Sequence, residues 1–141
     1  MQLFFYGAAK IKLRKCTARQ LEGSDSRYDF VLQPDGLIHP PTSSGYLQTG
    51  CHNGVRLWQQ SIDLWEILGM QRGRCHVRIL PAGLVLPSSM VLQQSNAYSW
   101  ELQTAIPVKP SVLNAQINAL FEPLELIPKK SYFSRFTFVP T

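Results

Sequence analysis

The chain has 141 residues, of which 45% are hydrophobic and 11% aromatic, and a formal net charge of +5 from 14 Lys and Arg against 9 Asp and Glu. That length fits one domain, residues 1–141, with room for a true core, and the composition excludes a disordered chain. The basic balance suits an anionic partner such as a nucleotide or a nucleic acid, or else is simply a mildly basic soluble surface. Cys16, Cys51 and Cys75 are odd in number and widely spaced, which excludes a disulfide framework and a paired-ligand zinc site. They read as reduced thiols, and no metal is expected.

Leu3 to Tyr6 reads as a first strand, apolar on both faces. The apolar stretch Leu3 to Ala9 has no basic residues before it and is too short for a membrane span. It is also a poor signal-peptide core, so the expected site of action is cytoplasmic, and any export uses a secretion system that needs no signal peptide. Lys10-Ile11-Lys12-Leu13-Arg14 alternates charge with apolar side chains, the period of a half-buried edge strand. With Lys15 and Arg19 it forms a basic patch, either a binding surface or a lysine-guarded edge.

Tyr28 to Leu32 reads as a strand, Gln33-Pro34-Asp35-Gly36 as a turn, and Leu37 to His39 as a returning strand stopped by Pro40-Pro41. Residues 28–39 are therefore expected to form a hairpin. Residues 41–54 make a long polar loop containing Tyr46 and His52, the kind of segment that usually carries function. Cys51 and His52 are adjacent, and neighbours on a strand point to opposite faces, which argues against a catalytic pair there.

Leu57 to Leu68 has helical spacing, with Trp58, Ile62 and Trp65 on one stripe and Gly69 as a C-cap. Cys75 to Leu80 and Met90 to Gln93 read as strands. Tyr98 to Val108 begins as an alternating strand with Ser99, Glu101, Gln103 and Ala105 on one side and Tyr98, Trp100, Leu102 and Thr104 on the other. Pro110 and Ser111 open a second helix, with Leu113, Ile117, Leu120 and Phe121 as its buried stripe, ended by Pro123. Tyr132 to Val139 reads as a last strand. The expected class is α+β, with short, mainly antiparallel strands and two main helices.

Several segments carry a resemblance in their order along the chain: Tyr28-Asp29-Phe30-Val31, Asp35-Gly36-Leu37-Ile38-His39-Pro40, His52-Asn53-Gly54-Val55-Arg56-Leu57, Val77-Arg78-Ile79-Leu80-Pro81-Ala82-Gly83 and Ser99-Trp100-Glu101-Leu102-Gln103-Thr104-Ala105-Ile106-Pro107-Val108. The series resembles the small ADP-ribosyltransferase-like toxin family founded on a bacterial type VI secretion effector, which also has fungal members. The resemblance implies two sheets around a cleft that grips NAD as a substrate. It also implies transfer of ADP-ribose to an intracellular protein or nucleic acid, or to water, and a cognate immunity protein in the producing cell.

Under that resemblance Glu101 is the candidate catalytic carboxylate, with Ser99 beside it on the same face. Tyr6, His52, Asn53, Gly54, Arg56 and Trp100 are the candidate NAD contacts. Arg56 stands where the family places a serine, and it reads either as a pyrophosphate partner or as a surface residue at a helix start. Family members often carry an Arg or His after the first strand; here that contact is either missing or supplied by Tyr6 or Lys10. The other reading of Glu101, favoured by the absence of a paired carboxylate motif, is an ordinary solvent-facing strand residue. The alternative function is a catalytically degenerate module that holds nucleic acid or an acidic protein on Lys10, Lys12, Arg14, Lys15 and Arg19.

Overall fold

The computed structural model describes residues 1–16, 28–40 and 53–137. Short apolar runs and alternating segments form the strands of one sheet: β1 (Leu3–Gly7), β2 (Gly54–Trp58), β3 (His76–Leu80), β4 (Met90–Gln94), β5 (Ser99–Thr104) and β6 (Leu126–Pro128). The spatial order is β4-β5-β2-β1-β3-β6, and every neighbouring pair is antiparallel. Among the described residues three helices join it in an α+β arrangement: α1 (Ile62–Met70), α2 (Pro110–Phe121) and α3 (Lys129–Arg135). The described residues thus form a single sheet where two were expected, and three helices where two were. Among them, no helix is long and apolar enough to cross a membrane.

The pleat sorts side chains onto two faces. On one face Leu3, Val55, Leu57, Leu80, Met90 and Leu102 are buried beneath Leu113, Ile117 and Phe121 of α2, joined by Ile11, Phe30, Ile38 and Val108. On the other, Phe4, Trp58, Val77, Ile79 and Ile127 are buried beneath Leu64 and Leu68 of α1 and Tyr132 of α3. Tyr132 and Phe136 lie four residues apart on the α3 side and stack at 5.2 Å, while Phe4 meets both rings edge-on at 5.2 and 5.0 Å. Such aromatic pairs each add about 0.5–1.5 kcal/mol beyond the area they bury.

Several sequence expectations are corrected by tertiary contacts. Leu57 and Trp58 end β2 and are not helical. Arg56 sits between two inward apolar residues, Val55 and Leu57, which is the strand period. The helix starts later because Ser61 caps it, its Oγ accepting from the Leu64 N–H at 3.2 Å. Gly69 lies inside α1, and the Gln71 N–H closes the helix on the Leu68 carbonyl at 3.2 Å. Of the strand expected over Tyr132 to Val139, residues 138–139 lie outside the described residues, and the rest is no strand: residues 129–135 are helical because Tyr132, Phe133 and Phe136 match the helix period against Phe4 and Trp65.

The turn at Gln33–Gly36 forms, with the Gly36 N–H on the Gln33 carbonyl at 2.9 Å and Gly36 at φ 79°. Its two arms do not build a hairpin ladder. Phe30 bridges Lys15 and Ile38 bridges Val108. The expected strand at residues 10–14 joins no ladder either, because side-chain amides of α2 take its backbone bonds. The loop expected over residues 41–54 lies mostly outside the described residues.

Gly54 permits a close backbone approach between β2 and β5. A Cβ there would stand 1.9 Å from the Leu102 carbonyl oxygen and 2.8 Å from its carbon. Gly54→Ala is expected to destabilise the fold by about 3 kcal/mol through overpacking against backbone. Urea unfolding checks this as a lowered midpoint at unchanged slope. A second expectation concerns alkaline pH. Burial pushes the Tyr132 phenol from 10.0 up to about 12, so the folded state holds that proton more tightly than the unfolded chain does. Its contribution is complete below pH 10.0 and is lost as pH rises towards about 12. Tyr132→Phe should flatten the alkaline limb of a stability–pH curve and leave the neutral region little changed.

Candidate functional site

One half of the sheet's second face is covered by α1 and α3, and the other half is polar. The β2–β5 register sets Arg56 directly opposite Glu101, Gly54 opposite Gln103 and Trp58 opposite Ser99. Side chains at such opposed positions share a face, with Cβ atoms about 5 Å apart. The β1–β2 register pairs Phe4 with Trp58. Two residues further along, Tyr6 comes alongside Arg56. One strip across three strands therefore carries a phenol, a guanidinium and a carboxylate in sequence.

These groups line a cleft of about 540 Å³, together with Gly54, Lys10, Lys12, Arg14, Tyr28 and Asp29. Its volume lies within the roughly 300–1,000 Å³ of typical small-molecule sites. Glu101 is only 8% exposed, which excludes the solvent-facing reading of this carboxylate. Burial pushes the Tyr6 phenol up from 10.0, while the positive charges of Arg56 and Arg14 pull the other way and Cys75 adds to the rise. Tyr6 is thus a neutral hydroxyl at physiological pH. The Arg56 guanidinium also lies 5.9 Å from the centre of the Trp58 ring, within cation–π range.

The far wall comes from residues 10–14 and 28–29. Asp29 Oδ2 accepts from the Arg14 backbone N–H at 2.7 Å and faces its Nε at 3.4 Å, and the Asp29 N–H donates to the Arg14 carbonyl at 2.8 Å. This lock explains why Arg14 and Asp29 belong to the site. The alternation at residues 10–14 marked their basic side chains, but nothing local to the sequence placed them across from Glu101.

The sequence-predicted residues divide. Tyr6, Gly54, Arg56 and Glu101 meet in the cleft. Ser99 lies two residues along the same strand face, but it is buried at the β4–β5 turn, where its Oγ is 2.8 Å from Ser95 Oγ, and it does not line the cleft. Trp100 points to the opposite face, packs against the first core and reaches Gln59 Oε1 through Nε1 at 3.5 Å. Asn53 is fully buried and acts as a backbone tie: its Nδ2 donates to the His39 carbonyl, and its Oδ1 accepts from the Val31 N–H at 3.4 Å. His52 lies outside the described residues. His39 is held at Asp35, with Nε2 and Oδ2 2.6 Å apart, and does not line the cleft.

One buried polar atom of this half, Gln103 Oε1, has no hydrogen-bond partner among the described residues, and Trp58 Nε1 in the covered half has none either. Such an atom costs about 1–3 kcal/mol, so each half of the face carries one polar group that packing leaves unsatisfied. No group of three metal-ligating side chains converges among the described residues.

The electrostatics of the strip can be read optically. Phenolate absorbance of the parent chain minus that of Tyr6→Phe should isolate a group titrating above 10.0. Arg56→Gln should move that group higher still, since it removes a positive charge that favours the phenolate. An unmoved titration would place Arg56 away from Tyr6.

No family model, curated protein or solved structure matches this chain.

Proposed function

We propose that the chain is an NAD-dependent ADP-ribosyltransferase-like toxin whose reaction takes place in the cleft between Glu101 and the basic segment 10–14. The observation that carries this reading is the pairing of Arg56 and Glu101 across β2 and β5, in a cleft of nucleotide size beside Tyr6. A buried carboxylate aimed at a cleft suits a reaction in which positive charge develops on a sugar. The bond between nicotinamide and ribose breaks with its electron pair leaving on nicotinamide, and the ribose becomes oxocarbenium-like. The Glu101 carboxylate stabilises that cation and orients the acceptor, whose nucleophilic atom bonds to the ribose carbon and loses its proton to water. Tyr6 supplies an aromatic face and a neutral hydroxyl for the nicotinamide side, and Arg56 a cation for the pyrophosphate. The acceptor is a protein, a nucleic acid or water in the target cell, and the producing cell is protected by an immunity protein.

A second reading is supported by Lys10, Lys12 and Arg14 lining the same cleft: a binding module for nucleic acid or an acidic protein. It predicts affinity for polyanions that falls steeply with salt.

Nicotinamide release from NAD by the purified chain separates the two. The transferase reading expects turnover that drops roughly 100-fold or more in Glu101→Gln, the scale of losing one transition-state electrostatic contact. Absence of both turnover and NAD binding heat, with steep salt-dependent binding of single-stranded nucleic acid, would replace it with the module.

A further inference from the structure

The segment that closes the cleft is extended, yet it pairs with no strand along residues 10–14. Its backbone is held from four directions. Arg78 reaches it first, with Nη2 donating to the Ala9 carbonyl at 2.8 Å while Nη1 donates to the Leu124 carbonyl at 2.9 Å. Asn118 follows, with Oδ1 accepting from the Ile11 N–H at 2.9 Å and Nδ2 donating to the Ile11 carbonyl at 2.8 Å. Asn114, one helical turn earlier in α2, accepts from the Leu13 N–H at 2.7 Å and donates to the Ile11 carbonyl at 3.3 Å. Asp29 finishes the series at Arg14. The two carboxamides do for this segment what a neighbouring strand would do, each offering an acceptor and a donor to a backbone that has one of each.

The consequence lies in the side chains. With Ile11 fixed in the core, alternation puts Lys10, Lys12 and Arg14 together on the other side. All three line the cleft. Arg14 is engaged by Asp29, whereas Lys10 and Lys12 make no ion pair among the described residues. Their Cα atoms are about 6–7 Å apart on extended backbone, and each ammonium swings on a flexible four-carbon stem. Two such cations on one side of the segment match two adjacent phosphate groups, one each, and are redundant for a single phosphate.

We propose that Asn114 and Asn118 are positioning residues that hold Lys10 and Lys12 as a diphosphate-binding wall of the cleft. The inference rests on the cleft being the ligand site, and not on the reaction proposed for it. It assigns the ligand class, a molecule with two linked phosphates. It also gives α2 a role beyond its buried Leu113, Ile117 and Phe121 stripe.

The test is calorimetric titration of the full chain with inorganic pyrophosphate and with orthophosphate at fixed ionic strength. Pyrophosphate should bind about tenfold or more tightly than orthophosphate, as expected for two charge-assisted contacts in place of one. The double variant Lys10→Gln/Lys12→Gln should weaken pyrophosphate about tenfold with its melting temperature unchanged. Lys130→Gln, which removes a charge from exposed α3 surface, should change it by less than about twofold. Asn118→Ala should speed hydrogen exchange at the Ile11 and Leu13 amides and weaken pyrophosphate well below its melting temperature.

Equal losses from Lys130→Gln and from the double variant would overturn the site in favour of diffuse surface charge. Faster exchange in Asn118→Ala with affinity intact would overturn the positioning role. If Asn118→Ala fails to fold, the lysine variants and the phosphate comparison still decide the site, and Asn114→Ala the clamp. NAD turnover by a chain indifferent to pyrophosphate would sink this inference alone. Pyrophosphate binding without NAD turnover would sink only the transferase reading.

Discussion

The pairing of β2 with β5 is the constraint on which the rest of the molecule depends. It brings two backbones together where Gly54 leaves no room for a side chain, and that contact fixes the register. Because the side-chain period of a strand is two, a slip of one residue would send Arg56 into the apolar core and Val55 out of it. The register therefore decides at once which residues are core and which form the polar strip. Glu101, Arg56 and Tyr6 occupy neighbouring places because Val55, Leu57 and Leu102 must occupy theirs on the other side.

The sequence makes the local part of this plain. Strands β1, β3 and β4, the alternation of β5 and the span of α2 are all carried by short-range periodicity, and the structure has them at nearly the expected bounds. The errors fall where two periods coexist. Trp58, Ile62 and Trp65 fit a helical stripe, yet Trp58 belongs to the preceding strand, and the cap at Ser61 separates them. The aromatic run near the end has high strand propensity, but its spacing matches a helix once Phe4 and Trp65 are there to pack against. Propensity gave way to packing in both places.

The candidate site was legible in its ingredients and not in its assembly. Tyr6, Arg56 and Glu101 are far apart in the chain and meet only through strand registers. Asn53, Ser99 and Trp100 are close in sequence to those residues, and the pleat or a backbone tie carries them elsewhere. Lys12 and Arg14 stood out as a basic patch. Their place on the cleft depends on Asn114 and Asn118, about a hundred residues downstream, whose amides look from sequence like ordinary polar positions on a helix.

The division of one sheet face into an aromatic half under two helices and a polar half over a cleft separates what keeps the protein folded from what meets a ligand. The apolar clusters lie under the covered half and under α2, while the polar strip contributes little apolar burial. Random mutagenesis of such a molecule would yield an unusual share of full-length, soluble, inactive variants, all clustered on three adjacent strands. For a chain of this kind, a map of where inactivity and solubility coincide would trace the outline of the cleft.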